Sequence, residues 1–173
     1  MGWHHQLRDE PALLLLFDRK QRWKNNLKEG RQIQYEMITN YGGAVGNVYD
    51  FASIGVLGRI GLNIPKDFGP PRIRPSMSGF DAFQPANKPF SFYVFGGVNA
   101  RGVLRDIFLD GNSFKNSPRV DKRMGVAEGQ AGAVLMLWNF RLAYEGAYRS
   151  REFHGQDEPD QFAGVSLSTR MPF

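Results

Sequence analysis

Long segments in which apolar and polar residues alternate constrain the fold of this chain more than any other feature of its sequence. The clearest one runs from Gln32 to Tyr41, where every second residue is apolar, aromatic or a threonine and the residues between are polar, with Ile38 as the exception. Segments 141–149 and 165–173 repeat the pattern. Successive side chains of a β-strand point to opposite faces, so a period of two indicates strands with one apolar and one polar face.

Four further segments alternate less strictly and are also predicted to be strands. They run roughly over Pro11–Trp23, Val48–Leu62, Pro89–Arg101 and Val126–Trp138. A short buried helix stays open for the first, because its residues 13–16 are apolar on both faces. Most of these about seven strands reach the about 9–11 residues with which a tilted strand crosses a bilayer, whereas strands of soluble proteins usually have about five or six.

The strand lengths and the two-sided pattern together predict an all-β fold, an antiparallel transmembrane β-barrel. A helical crossing is excluded, because the longest apolar run, Ala12–Phe17, is far shorter than the about 20 residues that a transmembrane helix needs. Aromatic residues near strand ends are candidates for interface girdles, although core packing explains each one better when it is taken singly: Trp23, Tyr41, Tyr49 and Trp138. The residues expected to face lipid are Ile33, Tyr35, Met37, Leu142, Tyr144 and Leu167, and those expected to face the lumen are Gln34, Glu36, Arg141, Glu145 and Arg170.

An odd number of strands is unusual for such a protein. Bacterial single-chain barrels have an even number of strands, and an open sheet edge cannot face lipid. The first residues, Met1 to His5, also lack the basic segment followed by an apolar one that marks a signal peptide. We therefore expect residues 1–173 to be the C-terminal portion of a single barrel domain whose N-terminal strands and signal peptide are absent.

The composition excludes several classes of function. The 22 lysines and arginines exceed the 17 acidic residues only slightly and are scattered, so a nucleic-acid partner is not expected. Such residues suit anionic lipid headgroups or an ordinary solvated surface. The absence of cysteine excludes disulfides, cysteine zinc sites and thiol nucleophiles, and no Gly-x-Ser-x-Gly motif supports a serine hydrolase.

Histidines are the candidates for chemistry, because a side chain with a pKa near neutrality is the natural base for activating water. His4 and Glu10 share parity in an extended segment, and a carboxylate bonded to the far ring nitrogen would orient the histidine and stabilise its cation. Taken alone, the two residues are better explained as unrelated polar loop groups. Adjacent residues of a strand point apart, which disfavours a metal site made by His4 and His5, and a trimmed purification tag also explains that pair.

Four stretches of the chain carry motifs that are more specific together than singly. They are Gly2–Leu7 followed by Glu10 and Pro11, then Asp67–Pro75, Asp106–Asn112 and Arg151–Phe162. In this order they resemble the lipid A 3'-O-deacylase (LpxR) family of outer-membrane enzymes, and the terminal Phe173 resembles the sorting signal of outer-membrane barrels. The resemblance implies a barrel of about twelve strands, of which about seven would be present here.

The resemblance also implies an activity and its residues. It points to a calcium-dependent carboxylic ester hydrolase that removes an acyloxyacyl chain from lipid A of lipopolysaccharide, as a multi-pass protein of the bacterial outer membrane that is monomeric when complete. His4 would be the base and Glu10 its orienter, because their separation matches that of the family's catalytic pair; His5 is the alternative base and His154 is interpreted as structural. Calcium would polarise the ester carbonyl. Its ligands are expected in the missing N-terminal strands, so no metal ligand is assigned.

The loops of this barrel are expected to divide between its two ends. Counting strand directions back from a periplasmic C-terminus places Met1–Glu10 and the loops at residues 106–123 and 154–161 at the extracellular end, and Leu62–Lys88 at the periplasmic end. The carboxylates of the two extracellular loops are predicted to be solvated groups rather than metal ligands: Asp106, Asp110 and Asp157.

Two other classes of function stay open. A non-catalytic barrel, such as a pore or a scaffold, would have the same strands without a catalytic base, and hydrolysis of lipid A distinguishes it from the enzyme. A soluble lipid-binding barrel of the lipocalin kind would enclose a small ligand and stay monodisperse without detergent.

Overall fold

The computed structural model of the chain describes residues 7–24, 33–69 and 89–169. Within these ranges the chain forms seven strands and one short helix. In chain order they are β1 (Leu14–Lys24), β2 (Ile33–Gly46), β3 (Tyr49–Leu62), β4 (Phe90–Asp106), α1 (Ile107–Asp110), β5 (Gly125–Leu137), β6 (Phe140–Arg149) and β7 (Asp160–Thr169). All the predicted strands are present, and β1 takes in residues 14–16, so they do not form a short buried helix.

The strand bounds differ from the prediction mainly where glycines or charged residues interrupt the alternation. β2 continues past Tyr41 through a glycine pair to Gly46, and β4 continues past Arg101 to Asp106. β7 begins at Asp160, before the alternating part of the sequence, and the chain beyond Thr169 lies outside the described residues. α1, which follows β4 directly, was not predicted, since four residues are too few to show a helical period.

The seven described strands form one sheet in the order in which they occur in the chain, and every neighbouring pair is antiparallel. The predicted all-β, antiparallel arrangement is confirmed. We call the end of the sheet that carries α1 the upper end and the end that carries residues 63–69 the lower end. β5 and β6 are joined at the lower end by a tight turn at Trp138 and Asn139.

The two faces of the sheet differ in exposure as the alternation predicts. On the outer face all six residues expected to face lipid are exposed, from Tyr35 at 38% to Leu167 at 72% of the residue's reference area. On the inner face Glu36, Arg141 and Glu145 are buried, as predicted. Gln34 is exposed, but its side chain accepts a hydrogen bond from the backbone N–H of Ile64 at 2.9 Å; Arg170 lies outside the described residues.

The inner face is less polar than predicted. A cluster of buried apolar side chains crosses it between β2 and β6, and a smaller one lies at the upper end. A single sheet has no second layer to pack against, so its inner residues are buried by the curl of the sheet and by connecting segments. The larger cluster consists of Ile38, Leu57, Ile64, Tyr93, Phe95, Val134, Met136 and Ala143, and the smaller one of Ala44, Phe51, Val103 and Val126.

Residues 63–69 fold onto the inner face at the lower end. Ile64 and Asp67 are buried there, and Asp67 forms an ion pair with the buried Arg59 of β3. A second carboxylate, Glu36 of β2, lies 2.6 Å from Nη2 of the same arginine. Charges in such surroundings are stable only when they are paired, so this arginine joins two strands to the connecting segment.

Exposed aromatic side chains occur near the strand ends, as predicted for Trp23 and Trp138, whereas the exposed Tyr41 lies inside β2, which continues to Gly46. Tyr49 is different, because it packs against the inner cluster at the upper end and its ring lies 4.8 Å from that of Phe51. Within the described ranges, none of the helices has the length and apolar character to cross a membrane.

Candidate functional site

Residues 7–13, which precede β1, lie at the upper end of the sheet against the long connection between β4 and β5. The contact joins residues more than 100 positions apart, because the carboxylate of Glu10 meets the backbone of Ser113. A bridge between Lys122 and Phe153 joins the same connection to the loop between β6 and β7. The prediction that these three segments share one end of the barrel is therefore confirmed for the described residues.

The Glu10 carboxylate is held by backbone N–H groups of the loop. The N–H of Ser113 lies within hydrogen-bond distance of both carboxylate oxygens, at 3.0 and 3.1 Å, and the N–H of Phe114 donates to Oε2 at 3.3 Å. The bond from Ser113 is the main reason why the pKa of Glu10 lies below its ordinary value. A carboxylate has about four acceptor positions, so this one retains capacity for a further donor such as an imidazole N–H.

The residues before Glu10 are bound to the same loop. The side-chain amide of Asn112 accepts from the backbone N–H of Arg8 at 2.9 Å and donates to the carbonyl of Arg8 at 2.6 Å. The ammonium group of Lys115 donates to the carbonyl of Asp9 at 2.7 Å. Three consecutive residues of the segment, 8 to 10, thus have hydrogen-bond partners in one short stretch of the loop.

Asn47, in the turn between β2 and β3, anchors the end of the segment next to β1. Its side-chain amide accepts from the N–H of Leu13 at 2.7 Å and donates to the carbonyl of Pro11 at 2.6 Å. Its backbone carbonyl accepts from the hydroxyl of Ser113 at 3.2 Å and from the guanidinium of Arg105 at 3.1 Å. One turn residue therefore ties the segment to the loop and to β4.

The carboxylates of the β4–β5 connection have structural roles, so their prediction as merely solvated groups is wrong for two of them. Asp106 caps α1 by accepting from the N–H of Phe108 at 3.0 Å. Asp110 accepts from Lys122 at 2.5 Å and from the N–H of Asp106 at 2.8 Å. Desolvation opposes ionisation of Asp110, but the bonds from Lys122 and from the N–H of Asp106, together with the charges of Lys122 and Arg105, outweigh it and lower the pKa of Asp110. Asp157 is exposed, as predicted.

Two arginines lie on the inner face just below these loops. Arg149 donates twice to one carboxylate oxygen of Glu128, at 3.0 and 3.1 Å, and its guanidinium carbon lies 5.3 Å from the ring centre of Phe162. Arg101 lies over the rings of Tyr49 and Phe51. Both guanidinium groups also approach the carboxylate of Glu152, at 3.8 and 3.4 Å, which draws the β6–β7 loop over the inner face.

Comparison with known proteins places this architecture in a family. The family model described as "Outer membrane protein LpxR" matches residues 1–171. The chain belongs to the LpxR family. A solved structure titled "LpxR from Salmonella typhimurium" is similar to it with a TM-score of 0.72 over 95% of this chain, at 16% sequence identity. At such a low sequence identity, the similarity between the two structures shows only a shared fold. The chain spans about half, 53%, of the length of the Salmonella chain, and a search of curated proteins by sequence finds no match.

The LpxR-family motifs have different outcomes in the structure. His4 and His5 lie outside the described residues, so their roles as base and alternative base stay predictions; Glu10 is described, and its carboxylate is fixed as above. His154 is exposed, and its backbone N–H donates to the carbonyl of Asp121 at 2.7 Å, in agreement with a structural role.

Sequence reasoning missed Asn112 and Ser113, which hold the Glu10 segment of this LpxR-family chain. Asn112 ends the Asp106–Asn112 stretch that carries part of the family resemblance, and Ser113 follows it. The sequence of that stretch does not indicate what its side chains contact. The nearest signal is Gly111, whose φ of 82° and ψ of −178° lie outside the conformations that other residues readily adopt. That glycine turns the chain so that the next two residues face the segment before β1.

Proposed function

We propose that the protein is a lipid A deacylase of the outer membrane, an ester hydrolase in which His4 activates water and Glu10 orients His4. One observation carries the proposal: in a chain of the LpxR family, the carboxylate at Glu10 is ionised and fixed by two backbone N–H groups while keeping acceptor capacity. A histidine base needs such a partner for its second ring nitrogen.

The proposed reaction is hydrolysis of an ester bond by one water molecule. His4 takes a proton from water as the water oxygen attacks the ester carbonyl. The bond between the carbonyl carbon and the sugar-side oxygen then breaks, and the proton passes from the imidazolium to that oxygen. The products are the free fatty acid and a hydroxyl group on the deacylated lipid A. Glu10 stabilises the imidazolium between the two proton transfers, which is worth most where water is excluded.

Calcium dependence belongs to the proposal because the family resemblance implies it, but the described residues do not form its site. In residues 7–24, 33–69 and 89–169 no three histidine, aspartate or glutamate side chains come together as a metal site. The described oxygens of Glu10 accept from backbone N–H groups, and we do not assign Glu10 as a calcium ligand. We therefore derive no step through the ion and assign its ligands to no described residue; loss of activity in excess chelator, restored by added calcium, tests the dependence.

We further propose that residues 1–173 are the C-terminal portion of a larger barrel domain. β1 and β7 are the two edges of the described sheet, and with seven antiparallel strands they run in the same direction. Direct closure would pair them in parallel, whereas an odd number of preceding strands would make every pair antiparallel. Heat-modifiable electrophoretic mobility in detergent tests this: the barrel with its preceding strands should show it, and the chain expressed alone should aggregate instead. A heat-modifiable monomer of the 173-residue chain would contradict the proposal.

The catalytic proposal is tested on the complete barrel in outer membranes, with mass spectrometry of lipid A as the measurement. His4→Ala should reduce release of fatty acid by about 10²–10⁴-fold, the usual cost of losing a general base. Glu10→Gln should cost less, because it keeps the shape and part of the hydrogen bonding. His5→Ala is the matched control and should keep the activity.

The outcomes separate the three classes of function. Full activity in His4→Ala together with loss in His5→Ala would move the base by one residue. Absence of any lipid A hydrolysis by the unchanged protein, with the barrel folded, would favour a pore or a scaffold. A monodisperse protein in detergent-free buffer would favour a soluble lipid-binding barrel.

A further inference from the structure

The loop after α1 binds backbone groups of the segment that precedes β1. Contacts between surface loops more often involve side chains on both sides. Both halves of the Asn112 amide are used, one to accept from the N–H of Arg8 and one to donate to the carbonyl of Arg8. Because the acceptor and the donor lie side by side in one planar amide and both bind Arg8, the pair fixes the position and the orientation of its backbone. No side chain of the segment is needed for that contact.

The next loop residues hold the neighbouring residues of the segment. Ser113 and Phe114 bind the carboxylate of Glu10 through their N–H groups, and Lys115 binds the carbonyl of Asp9. Four consecutive loop residues thus bind three consecutive residues of the segment. We call this set of contacts, between residues 8–10 and residues 112–115, the clamp.

The loop side of the clamp is itself held from the sheet. Arg105 of β4 donates to the carbonyl of Gly111 at 3.1 Å and to the hydroxyl of Ser113 at 2.8 Å. The N–H of Asn112 donates to the hydroxyl of Ser117 at 2.7 Å, which closes the loop on itself. A side chain at Gly111 would meet the Ser117 hydroxyl at 2.5 Å, so this closure depends on glycine. The clamp is therefore connected to β4 rather than free to move with the segment.

We propose that Asn112 and Ser113 are positioning residues for catalysis, which fix the place and the orientation of the Glu10 carboxylate. The inference rests on the proposed function. The clamp fixes the backbone of Arg8 and the carboxylate of Glu10, so Glu10 can accept from an imidazole N–H in only a narrow range of geometries. Proton transfer requires heavy atoms at hydrogen-bond distance, and a misplacement of about 1 Å can cost on the order of 10²-fold in rate.

Asn112→Ala in the complete barrel tests the proposal, with Asn116→Ala as the matched control. Asn116 is in the same loop, its side chain is exposed, and it has no hydrogen bond among the described residues. We expect kcat of Asn112→Ala to fall by about 10–100-fold with KM changed by less than about twofold, because positioning acts on the chemical step rather than on substrate binding. Asn112→Asp keeps the acceptor for the Arg8 N–H but loses the donor, so it should recover part of kcat.

Amide hydrogen exchange gives a readout that does not depend on activity. In Asn112→Ala the N–H groups of Arg8 and Ser113 should exchange faster, and in Asn116→Ala they should exchange as in the unchanged protein. Unchanged exchange and unchanged kcat in Asn112→Ala, with His4→Ala inactive, would overturn the positioning role and leave the proposed function intact. An active His4→Ala variant would overturn the proposed function, and the inference with it.

Discussion

Arg59 of β3 and Asp67 of the following segment form a buried ion pair in which Nη1 and Oδ1 are 2.5 Å apart and neither side chain exposes more than 3% of its area. The same guanidinium donates through Nη2 to the carbonyl of Asp67 at 2.8 Å and to the carboxylate of Glu36 at 2.6 Å. Its carbon also lies 5.3 Å from the ring centre of Tyr93. One side chain thus holds two strands and the segment at the lower end together.

Removing this arginine should destabilise the barrel strongly. Arg59→Ala leaves Glu36 and Asp67 buried without their cation, and breaking a buried pair in this way typically costs about 3–5 kcal/mol. Arg119→Ala, an exposed arginine of the β4–β5 connection, is the control and should change the free energy of unfolding by less than about 0.5 kcal/mol. Urea unfolding of the complete barrel in lipid vesicles, followed by tryptophan fluorescence, measures both. Equal unfolding midpoints would contradict the structural role of Arg59.

Two glycines of β5 should respond oppositely to alanine. A Cβ at Gly132, on the inner face, would meet the backbone carbonyl of Tyr144 and approach the ring of Phe95 to 2.6 Å, so Gly132→Ala should cost about 1–3 kcal/mol through overpacking. A Cβ at Gly129, on the outer face, meets nothing within 4 Å. Gly129→Ala should therefore be neutral or stabilise by up to about 1 kcal/mol, because alanine restricts the unfolded chain. The same urea titration decides, and comparable losses in both variants would show that β5 lacks the described packing.

Spin labels at Leu167 and Ser166 of β7 test which face of the sheet meets lipid. The two positions are adjacent and both exposed, so a label at either should leave the fold intact. Leu167 lies on the outer face with Leu142, and Ser166 on the inner face opposite Ala143. Oxygen, which concentrates in the bilayer, should relax the label at Leu167 more than the label at Ser166, and a water-soluble nickel reagent should do the reverse. The opposite order would contradict the assignment of the two faces, because Ser166 would then face lipid and Leu167 the interior.

The clamp should loosen in acid. The N–H of Ser113 lowers the pKa of Glu10 below its ordinary value of 4.5, so ionised Glu10 favours the clamped state. For a group with a lowered pKa, this contribution is complete above the ordinary value and is lost as the pH falls through the lowered one. Amide exchange at Ser113, corrected for its intrinsic pH dependence, should stay slow from neutral pH down to about 4.5 and become faster below it. Glu10→Gln should remove this pH dependence.

The strands could be predicted because their pattern is local and repeats. Residues 33–41 alternate with the one exception of Ile38, and the structure places successive residues on opposite faces of β2. The inner apolar clusters could not be predicted. Ile38 is an exception to the alternation of its own segment, and its partners Leu57, Tyr93 and Val134 come from three other strands. Which distant residues become neighbours depends on register, and register is fixed by turns and packing that no single segment contains.

For the candidate site, the sequence could indicate which residues carry the chemistry but not which residues hold them in place. Glu10 could be singled out by its spacing from His4 and by the family resemblance, which concern one short segment. Asn112 and Ser113 could not, because their contacts with that segment span more than 100 positions and most go through backbone groups that every residue has. The side chains of Asp106 and Asp110 were misjudged for a related reason: a cap and a lysine partner are features of a folded loop.

The inward fold of residues 63–69 has a consequence for the passage of solutes along the inner wall. Over the described residues, this wall is filled at the lower end by Ile64, Pro65 and Asp67 and is crossed by a cluster of buried apolar side chains. A polar solute moving along this stretch would therefore meet apolar side chains instead of the continuous polar surface that lines a water-filled porin.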